Sequence, residues 1–365
     1  MEIEIFLIGY GILLLCLVGL GGALHASKAT VLTDELISLK RISVLIPFRN
    51  EAGSLPSLLA SLEQSIHLPL EIIFINDHSE DDGVAFLEKH ANTLPIRVLS
   101  LLPNKFGKKE ALRTGMEAAK GDFFLTLDAD VFFGPHYFSH LETLPAAQMW
   151  ILPAILVGQS KRQVWQEVDL HIMNAINVGL YGLFRPVIAS GANLLFSKRA
   201  FLRVDGYSSH QHISSGDDLF LLRDFRKNDM DVRLISASKF AVYTFAPTGI
   251  RAFLHQRMRW ISKTTKVKDH FATSLGVIQT ILSVAFYTLL GLCFYKEQFA
   301  EMLFLLSVKT GLDLLFYAPY FFRFNRIGAW CLIPAYQVFF PIYNLVLVIM
   351  IPVFRAQWKG RNVVS

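Results

Sequence analysis

The sequence predicts an α/β domain with a mainly parallel sheet, flanked at both ends by membrane-spanning helices. Short β-rich runs alternate with helical patterns between about residues 42 and 127, which is typical of parallel strands joined by helical crossovers. The 365 residues are 53% hydrophobic and 18% charged, and the apolar excess lies outside about 40–270. Soluble proteins carry about 25% charged residues, so this composition does not fit an ordinary soluble enzyme.

The first apolar stretch predicts an N-terminal membrane anchor over residues 1–27. Residues 5–24 contain no charged side chain, and about 20 apolar residues are enough to cross a bilayer as a helix. A cleaved signal peptide is the alternative. Glu2 and Glu4 argue against it, because a signal peptide begins with basic residues.

The chain after the α/β region predicts a helical membrane group over 272–354, followed by a basic tail over 355–365. Three apolar stretches lie at about 272–295, 299–322 and 329–354. Within the second, Lys309 and Asp313 are four residues apart and can neutralise each other on one helix face. A structural contact and a role in acceptor passage both remain open for this pair.

Basic residues near the apolar stretches predict the orientation of the chain. They lie after the first stretch and before the second, which places the 40–271 domain in the cytoplasm of a cell-membrane protein. A simple fourth span would put Arg355, Lys359 and Arg361 outside, against the same rule. Either the last stretch, with its three prolines, is interfacial or re-entrant, or the topology is unusual.

The net charge and the cysteines exclude several classes of protein. The net charge is +5, from 35 basic and 30 acidic residues. This mild excess suits a membrane surface or an anionic ligand, and no nucleic-acid partner is expected. Cys16, Cys293 and Cys331 lie in apolar runs without metal-ligand spacing, so neither a disulfide scaffold nor a zinc site is expected.

The α/β region places polar residues after four predicted strands. The strands are 42–46, 71–75, 96–100 and 123–127, and the helices between them are about 54–64, 82–91 and 108–119. Ligands bind beyond the carboxyl ends of parallel strands. The residues found there are Arg49, Asn50, Glu51, Asn76, Asp77, Asn104, Lys105, Asp128 and Asp130.

These positions predict a metal and phosphate site. Glu51, Asp77, Asp128 and Asp130 are expected to converge on one rim, where like charges repel unless a cation offsets them. Carboxylate oxygens suit Mg²⁺ or Mn²⁺. Lys108 follows a glycine at the start of the third helix, where amides and the helix dipole favour an anion.

Six segments in order resemble the inverting, nucleotide-sugar-dependent glycosyltransferases of family 2, which have the GT-A fold. The resemblance extends over about 42–263, essentially the whole predicted cytoplasmic domain. The segments are VLIPFRNE at 44–51, INDHSED at 75–81, GKKEAL at 107–112, LDAD at 127–130, SGDDLFL at 215–221 and QRMRW at 256–260.

The resemblance implies a role for each group of residues. Asp128 and Asp130 correspond to the metal motif, with Asp130 the more direct ligand, and Asp218 of the Asp217–Asp218 pair corresponds to the catalytic base. Asn76 stands where the family often has an acid, and Asp217 where it usually has Glu. The nucleobase and ribose pocket corresponds to Pro47, Arg49, Glu51 and Asp77, and the Q-x-x-R-W motif of membrane members to Gln256, Arg259 and Trp260.

The implied activity is inverting transfer of a sugar from a nucleotide-sugar, a UDP-sugar, to a membrane lipid or lipid-linked acceptor with a divalent cation. Asp218 would deprotonate the acceptor, and Arg259 would brace the diphosphate with its bidentate fork. A processive polysaccharide synthase, a non-catalytic nucleotide-sugar-binding membrane subunit and a transporter are the alternatives. The few predicted spans after the motif favour a lipid product over a polymer.

Three further features receive structural interpretations. Arg257 is expected to contact lipid headgroups within a basic juxtamembrane stretch. The helix predicted over 165–184 is either plain core or a membrane-facing acceptor wall. His210 and His212 are expected to be loop histidines rather than metal ligands.

Overall fold

The computed structural model describes residues 1–28, 37–204, 216–267, 269–350, 357–358 and 361–362. His210, His212 and most of the predicted basic tail 355–365 lie outside the described residues. By its internal contacts the chain divides into two units, one formed by 1–30, 157–187 and 246–354, the other by 31–156, 188–245 and 355–365. Two segments of the predicted 40–271 domain, 157–187 and 246–271, therefore group with the N-terminal helix.

The helices of the described chain include those predicted at 54–64, 82–91, 108–119 and 165–184, each within one residue of its predicted ends. They are α1 Glu2–Leu14, α2 Gly21–Lys28, α3 Leu55–Glu63, α4 Gly83–His90, α5 Lys108–Ala118, α6 Tyr137–Leu141, α7 Trp165–Leu183, α8 Lys198–Arg203, α9 Asp217–Lys227, α10 Ile250–Val267, α11 His270–Tyr295, α12 Phe299–Arg323, α13 Ile327–Trp330 and α14 Ile333–Met350. A π-helical segment, Leu15–Leu20, joins α1 to α2.

The strands form one large sheet and two small ones. They are β1 Ile42–Phe48, β2 Glu71–Asn76, β3 Ile96–Ser100, β4 Phe123–Leu127, β5 Val131–Phe132, β6 Met149–Ile151, β7 Ala154–Val157, β8 Asn193–Ser197, β9 Val232–Leu234, β10 Val242–Phe245, β11 Gln357–Trp358 and β12 Arg361–Asn362. The large sheet has the order β3-β2-β1-β4-β8-β6-β9, and the small sheets are β5-β10-β7 and β11-β12.

The seven-stranded sheet confirms the predicted mainly parallel architecture. β1 pairs in parallel with β2 and β4, and β2 with β3. β8 runs antiparallel to both β4 and β6, so it alone opposes the other six strands of this sheet. Strands β1 and β2 are buried along their whole length, as expected for parallel strands covered on both faces.

The unit that contains the N-terminal helix holds the helices that are candidates for membrane spans. Glu2–Ala26 and His270–Tyr295 are long and apolar enough to cross a bilayer, by length and composition. The predicted third span forms α12, and the predicted fourth divides into α13 and α14. Lys309 and Asp313 of α12 form the predicted pair, with 2.7 Å between Nζ and Oδ2. The Tyr10 hydroxyl donates to Asp313 Oδ1 at 2.5 Å, and Lys309 donates to Gln337, which favours a structural contact over a role in acceptor passage.

Glycines allow the N-terminal helical segment and α7 to pack with their backbones in contact. A Cβ added to Gly179 would collide with the carbonyl oxygen of Leu17, and one added to Gly182 with that of Gly21. A Cβ on Gly21 would likewise collide with the carbonyl oxygen of Gly179. This approach requires small residues on both sides, the means by which helices associate closely in apolar surroundings.

Candidate functional site

Lys108 lies among three carboxylates at the carboxyl end of the sheet. It is the first residue of α5, and its Nζ is 2.6 Å from Asp128 Oδ1 and 3.6 Å from Asp217 Oδ2. Burial opposes the ammonium charge, but the carboxylates of Asp128, Asp217 and Asp218 outweigh it and raise the pKa of Lys108 well above its ordinary value. Lys108 therefore stays a cation throughout the pH range in which enzymes work.

The acidic pair begins helix α9, where backbone amides stabilise negative charge. Asp217 is buried, with 3% of its side chain exposed, and faces Lys108. Asp218 is half-buried. Its carboxylate accepts hydrogen bonds from the backbone N–H of Gly191 at 3.2 Å and of Leu219 at 2.9 Å. Of the two acids, Asp218 is thus the one that combines solvent access with a fixed orientation.

Gly191 is a residue of this cluster that sequence reasoning missed. A Cβ at this position would lie 2.8 Å from Asp217 Oδ2 and 3.0 Å from Lys108 Nζ. Any side chain at this position would therefore displace the Asp217 carboxylate and crowd the Lys108 ammonium. The sequence signal was a glycine shortly before β8, and such a glycine is too common to stand out by itself.

The predicted metal motif follows β4. Asp128 is partly exposed and Asp130 is exposed, and the Thr244 hydroxyl donates to Asp130 Oδ2 at 3.3 Å. Among the described residues there is no group of three or more His, Cys, Asp or Glu that could hold a metal. A magnesium site built from one or two carboxylates plus substrate phosphates needs no such group, so Asp128 and Asp130 fit a cation that binds together with a diphosphate.

Two of the four carboxylates predicted to converge, Asp77 and Glu51, hydrogen-bond to protein groups, and the convergence stays a prediction. Asp77 is fully buried, and its Oδ2 accepts from the backbone N–H of Gly107 at 3.0 Å. Glu51 accepts from the hydroxyl of Ser54 at 3.0 Å. Asp77 thus ties the end of β2 to the start of α5, 30 residues further along the chain, whereas Glu51 bonds within its own loop. Spacing alone does not distinguish either use of a carboxylate from metal binding.

The end of β1 is held by Arg49. Its guanidinium donates to the carbonyl oxygens of Asp77, at 2.9 Å, and His78, and pairs with Glu80 at 2.9 Å. Pro47 is buried within β1. The structure therefore brings Arg49 and Asp77 together where β1, β2 and the start of α5 meet, and their contact with a nucleotide remains a prediction.

The Q-x-x-R-W residues lie on α10, in the unit that contains the N-terminal helix. Gln256, Arg259 and Trp260 are half-buried. The expectation that Arg257 contacts lipid headgroups is wrong, because this side chain is buried. Its guanidinium donates to Asp169 Oδ1 at 2.7 Å and to the carbonyl oxygen of Gln166 at 2.9 Å.

Helix α7 buries polar side chains, which favours its interpretation as core. Burial raises the pKa of Asp169 even though Arg257 opposes the shift. Burial also lowers the pKa of His171 to about 4, and the ring lies against Tyr320 and Phe321 of α12. Asp169 and His171 were not singled out from the sequence, because the apolar positions of the same helix dominate its pattern.

Comparison with known proteins identifies the family. The model of glycosyl transferase family 2 matches residues 43–170, and that of glycosyl transferase family group 2 matches residues 123–353. The second match alone extends over more than half of the chain. The six segments that pointed to this family lie within the combined range.

Curated relatives match part of the chain. An undecaprenyl-phosphate 4-deoxy-4-formamido-L-arabinose transferase of Yersinia enterocolitica is 34% identical over 102 residues, which are 27% of this chain and 31% of the relative. The protein of the same name from Pseudomonas savastanoi is 31% identical over 140 residues, 37% of this chain and 41% of the relative. The chain thus spans less than half the length of these relatives.

A solved structure shows the same fold over nearly the whole chain. The mannosyltransferase PcManGT from Pyrobaculum calidifontis, in complex with GDP-Man and Mn²⁺, aligns with a TM-score of 0.57 and 16% identity. The alignment covers 93% of this chain and 99% of that one. With the mainly parallel sheet and the two family matches, this shows that the chain belongs to glycosyltransferase family 2 and has the GT-A fold.

Proposed function

We propose that the protein is an inverting glycosyltransferase that moves a sugar from a nucleoside-diphosphate donor, a UDP-sugar, to a lipid or lipid-linked acceptor in a membrane. The observation that carries this proposal is the placement of Lys108 among Asp128, Asp217 and Asp218. In such a reaction a cation can stabilise the diphosphate that leaves, and a carboxylate beside it can take the proton that the acceptor loses.

Asp218 is the proposed base. The amides of Gly191 and Leu219 fix its carboxylate, and its partial exposure leaves it accessible to an acceptor. The carboxylate takes the proton of the acceptor, a hydroxyl or a singly protonated phosphate, as the acceptor oxygen attacks the anomeric carbon from the face opposite the diphosphate. A base in this position contributes about 10²- to 10⁴-fold to the rate, and attack from the opposite face inverts the configuration.

Lys108 is proposed to stabilise the departing diphosphate. Its ammonium is already oriented by Asp128, so little reorganisation is needed as negative charge develops. A divalent cation held by Asp130 and Asp128 would supply further positive charge to the same phosphates. Pro47, Arg49, Glu51 and Asp77 stay the proposed nucleoside contacts, and Gln256, Arg259 and Trp260 the proposed contacts of the diphosphate or acceptor.

The lipid acceptor is supported by two separate observations. The relatives described above are named as transferases to undecaprenyl phosphate. Two helices, Glu2–Ala26 and His270–Tyr295, have the length and composition of membrane spans. We accordingly place the protein in the cell membrane as a multi-pass protein, with the α/β domain on the cytoplasmic side where nucleotide-sugars are available.

A transfer assay tests the proposal. The protein in lipid nanodiscs is given Mg²⁺ or Mn²⁺, a panel of radiolabelled UDP-sugars and membrane lipid extract or a polyprenyl phosphate. We expect label in the organic phase, and a loss of about 10²-fold or more in Asp218→Asn and Asp130→Asn. Asp122→Asn is the control, because Asp122 is an exposed acid that pairs with Arg41.

Other outcomes of the same assay contradict the proposal. Rates equal to wild type in both active-site variants would overturn the assignment of the acids. Aqueous product that lengthens with time would indicate a processive synthase, and nucleotide binding without turnover a non-catalytic subunit.

The pH dependence of Asp218→Asn separates two acceptor classes. A hydroxyl acceptor needs a base at every pH, so the variant stays slow throughout. A phosphate monoester loses its second proton with a pKa of about 6, so the variant would recover as the pH rises above 6. The comparison is made from pH 5.5 to 8.5 against wild type.

A further inference from the structure

Arg257 of helix α10 is buried and contacts several groups that replace its water. Its side chain is 4% exposed, and its guanidinium makes a 2.7 Å pair with Asp169 of α7. The same group lies over the rings of Phe253, at 4.6 Å from the centroid, and of Trp260, at 4.3 Å. A buried arginine is tolerated where a carboxylate, hydrogen-bond acceptors and aromatic faces together replace its water.

The contacts of Arg257 reach two of the residues proposed to bind diphosphate or acceptor. Nη1 donates to Gln256 Oε1 at 3.3 Å, and the guanidinium carbon lies over the Trp260 ring. Gln256 and Trp260 are half-buried, whereas Arg257 is buried. The guanidinium of Arg257 thus contacts both the Trp260 indole and the side-chain oxygen of Gln256.

Helix α7 anchors this arrangement. Asp169 neutralises the guanidinium, and the carbonyl oxygen of Gln166 accepts a further hydrogen bond from it at 2.9 Å. The side-chain amide of Gln166 donates to the carbonyl oxygen of Pro247 at 3.1 Å, just before α10 begins. Arg257 is therefore fixed in position by α7 as well as by its own helix.

We propose that Arg257, held by Asp169, is a positioning residue that sets the orientation of Gln256 and Trp260. The inference rests on the proposed function, because it assumes that these two side chains contact the diphosphate or acceptor. Lysine cannot replace the arginine in this role. It has no planar fork to bond Asp169, Gln166 and Gln256 together, and no flat surface to stack on the indole.

The first test follows Trp260 without any substrate. The fluorescence of Trp260 is obtained as the difference between wild type and Trp260→Phe, and its quenching by acrylamide is measured in nanodiscs. The same difference is measured in Arg257→Lys and in Asp169→Asn, each compared with its own double variant that also carries Trp260→Phe. In both, the fluorescence of Trp260 should be quenched more strongly than in the protein with Arg257 and Asp169 intact. Lys309→Arg and Asp313→Asn are the controls, because Lys309 and Asp313 form another buried pair on α12 of the same unit.

The second test measures transfer per folded molecule. Arg257→Lys and Asp169→Asn should each lower kcat by at least about tenfold, since small misplacements of contacting groups are costly. The donor KM should change less than kcat. Lys309→Arg and Asp313→Asn should keep a kcat close to wild type, compared at melting temperatures as low as those of the Arg257 and Asp169 variants.

The two measurements separate the inference from the proposed function. If quenching and kcat in Arg257→Lys match those in Lys309→Arg, the positioning role is overturned. If quenching rises while kcat stays at the control level, Arg257 orients Trp260 without a catalytic consequence, which also overturns it. If wild type transfers no sugar but quenching rises as expected, the proposed function fails and the orientation of Trp260 by Arg257 stands.

Discussion

Two lysines of this protein make almost the same contact in very different surroundings. Lys108 lies 2.6 Å from Asp128, and Lys309 lies 2.7 Å from Asp313. Lys108 also has the carboxylates of Asp217 and Asp218 around it, whereas the pair on α12 is completed by the neutral groups of Tyr10 and Gln337. The first group carries excess negative charge near solvent, and the second is neutral and enclosed.

The difference separates the ion pair of the proposed site from one that is only structural. A balanced pair removes two charges from an apolar environment and needs nothing further. An unbalanced group attracts another cation, which is what a site for a metal diphosphate requires. The distance between nitrogen and oxygen is nearly the same in the two ion pairs and does not distinguish them. The net charge of the neighbouring side chains does.

Removal of divalent cations should have the largest effect. With an excess chelator, transfer is expected to fall more than about 10³-fold, because the departing diphosphate loses most of its neutralising charge. Addition of Mg²⁺ or Mn²⁺ above the chelator concentration should restore it. Transfer that continues at the full rate under chelation would show that Lys108 alone compensates the acids.

The enclosed pair should matter most for stability. Lys309→Met leaves Asp313 buried without its cation, so the free energy of unfolding should fall by about 3 to 5 kcal/mol. Transfer per folded molecule should stay within about threefold of wild type, because a residue outside the site acts on stability rather than rate. Thermal unfolding in nanodiscs measures the first quantity and the lipid transfer assay the second.

For Lys108 and its three carboxylates we expect a large effect on rate and a smaller one on stability. Lys108→Met should lower kcat about 10²-fold, the usual cost of losing one electrostatic contact to a developing charge. Its melting temperature should fall less than that of Lys309→Met, since water can solvate the partly exposed Asp128 and the amides at the start of α9 stabilise the buried Asp217. A larger loss of stability in Lys108→Met than in Lys309→Met would invalidate the comparison.

His171 extends the comparison to a buried base with no carboxylate pair. Its pKa is lowered to about 4 by burial, while in the unfolded chain it is near 6.5. Between these values the unfolded chain binds the proton and the folded one does not, so stability falls as the pH drops below 6.5.

The expected loss at pH 5 relative to pH 8 is about 2 kcal/mol from this residue. His171→Asn should remove that part of the acid sensitivity. Glu167 and Arg326, the charged groups near the ring, are unchanged in both proteins. Melting curves of wild type and variant at the two pH values give the difference, and parallel losses in both would refute the assignment.

Local pattern predicted the sheet and its helices because both depend on neighbours in sequence. The strands at 96–100 and 123–127 have the predicted bounds, and the helix predicted from Lys108 begins there. Lys108 was chosen for a phosphate on the strength of Gly107, and that role stays a prediction. The antiparallel β8 was not predicted, since its pairing joins residues about 70 positions apart.

The roles of Gly191 and Arg257 could not be predicted, because they depend on contacts between residues far apart in sequence. Gly191 matters because Asp217 and Lys108 lie beside it, and Arg257 is buried because Asp169 comes from a helix 88 residues earlier. Charge patterning near a membrane span made Arg257 look like a headgroup ligand. Only a partner supplied by the fold distinguishes the two uses of an arginine.

The glycine contacts between the N-terminal helical segment and α7 show that this segment packs specifically against α7 and does more than anchor the chain. Backbone atoms of Leu17 and Gly21 occupy the space where side chains on Gly179 and Gly182 would lie. A polyleucine helix of equal length would enter a bilayer as readily, but it could not dock at this distance. Exchanging the segment for an unrelated span should therefore keep the protein in the membrane and loosen α7, the helix that carries Asp169.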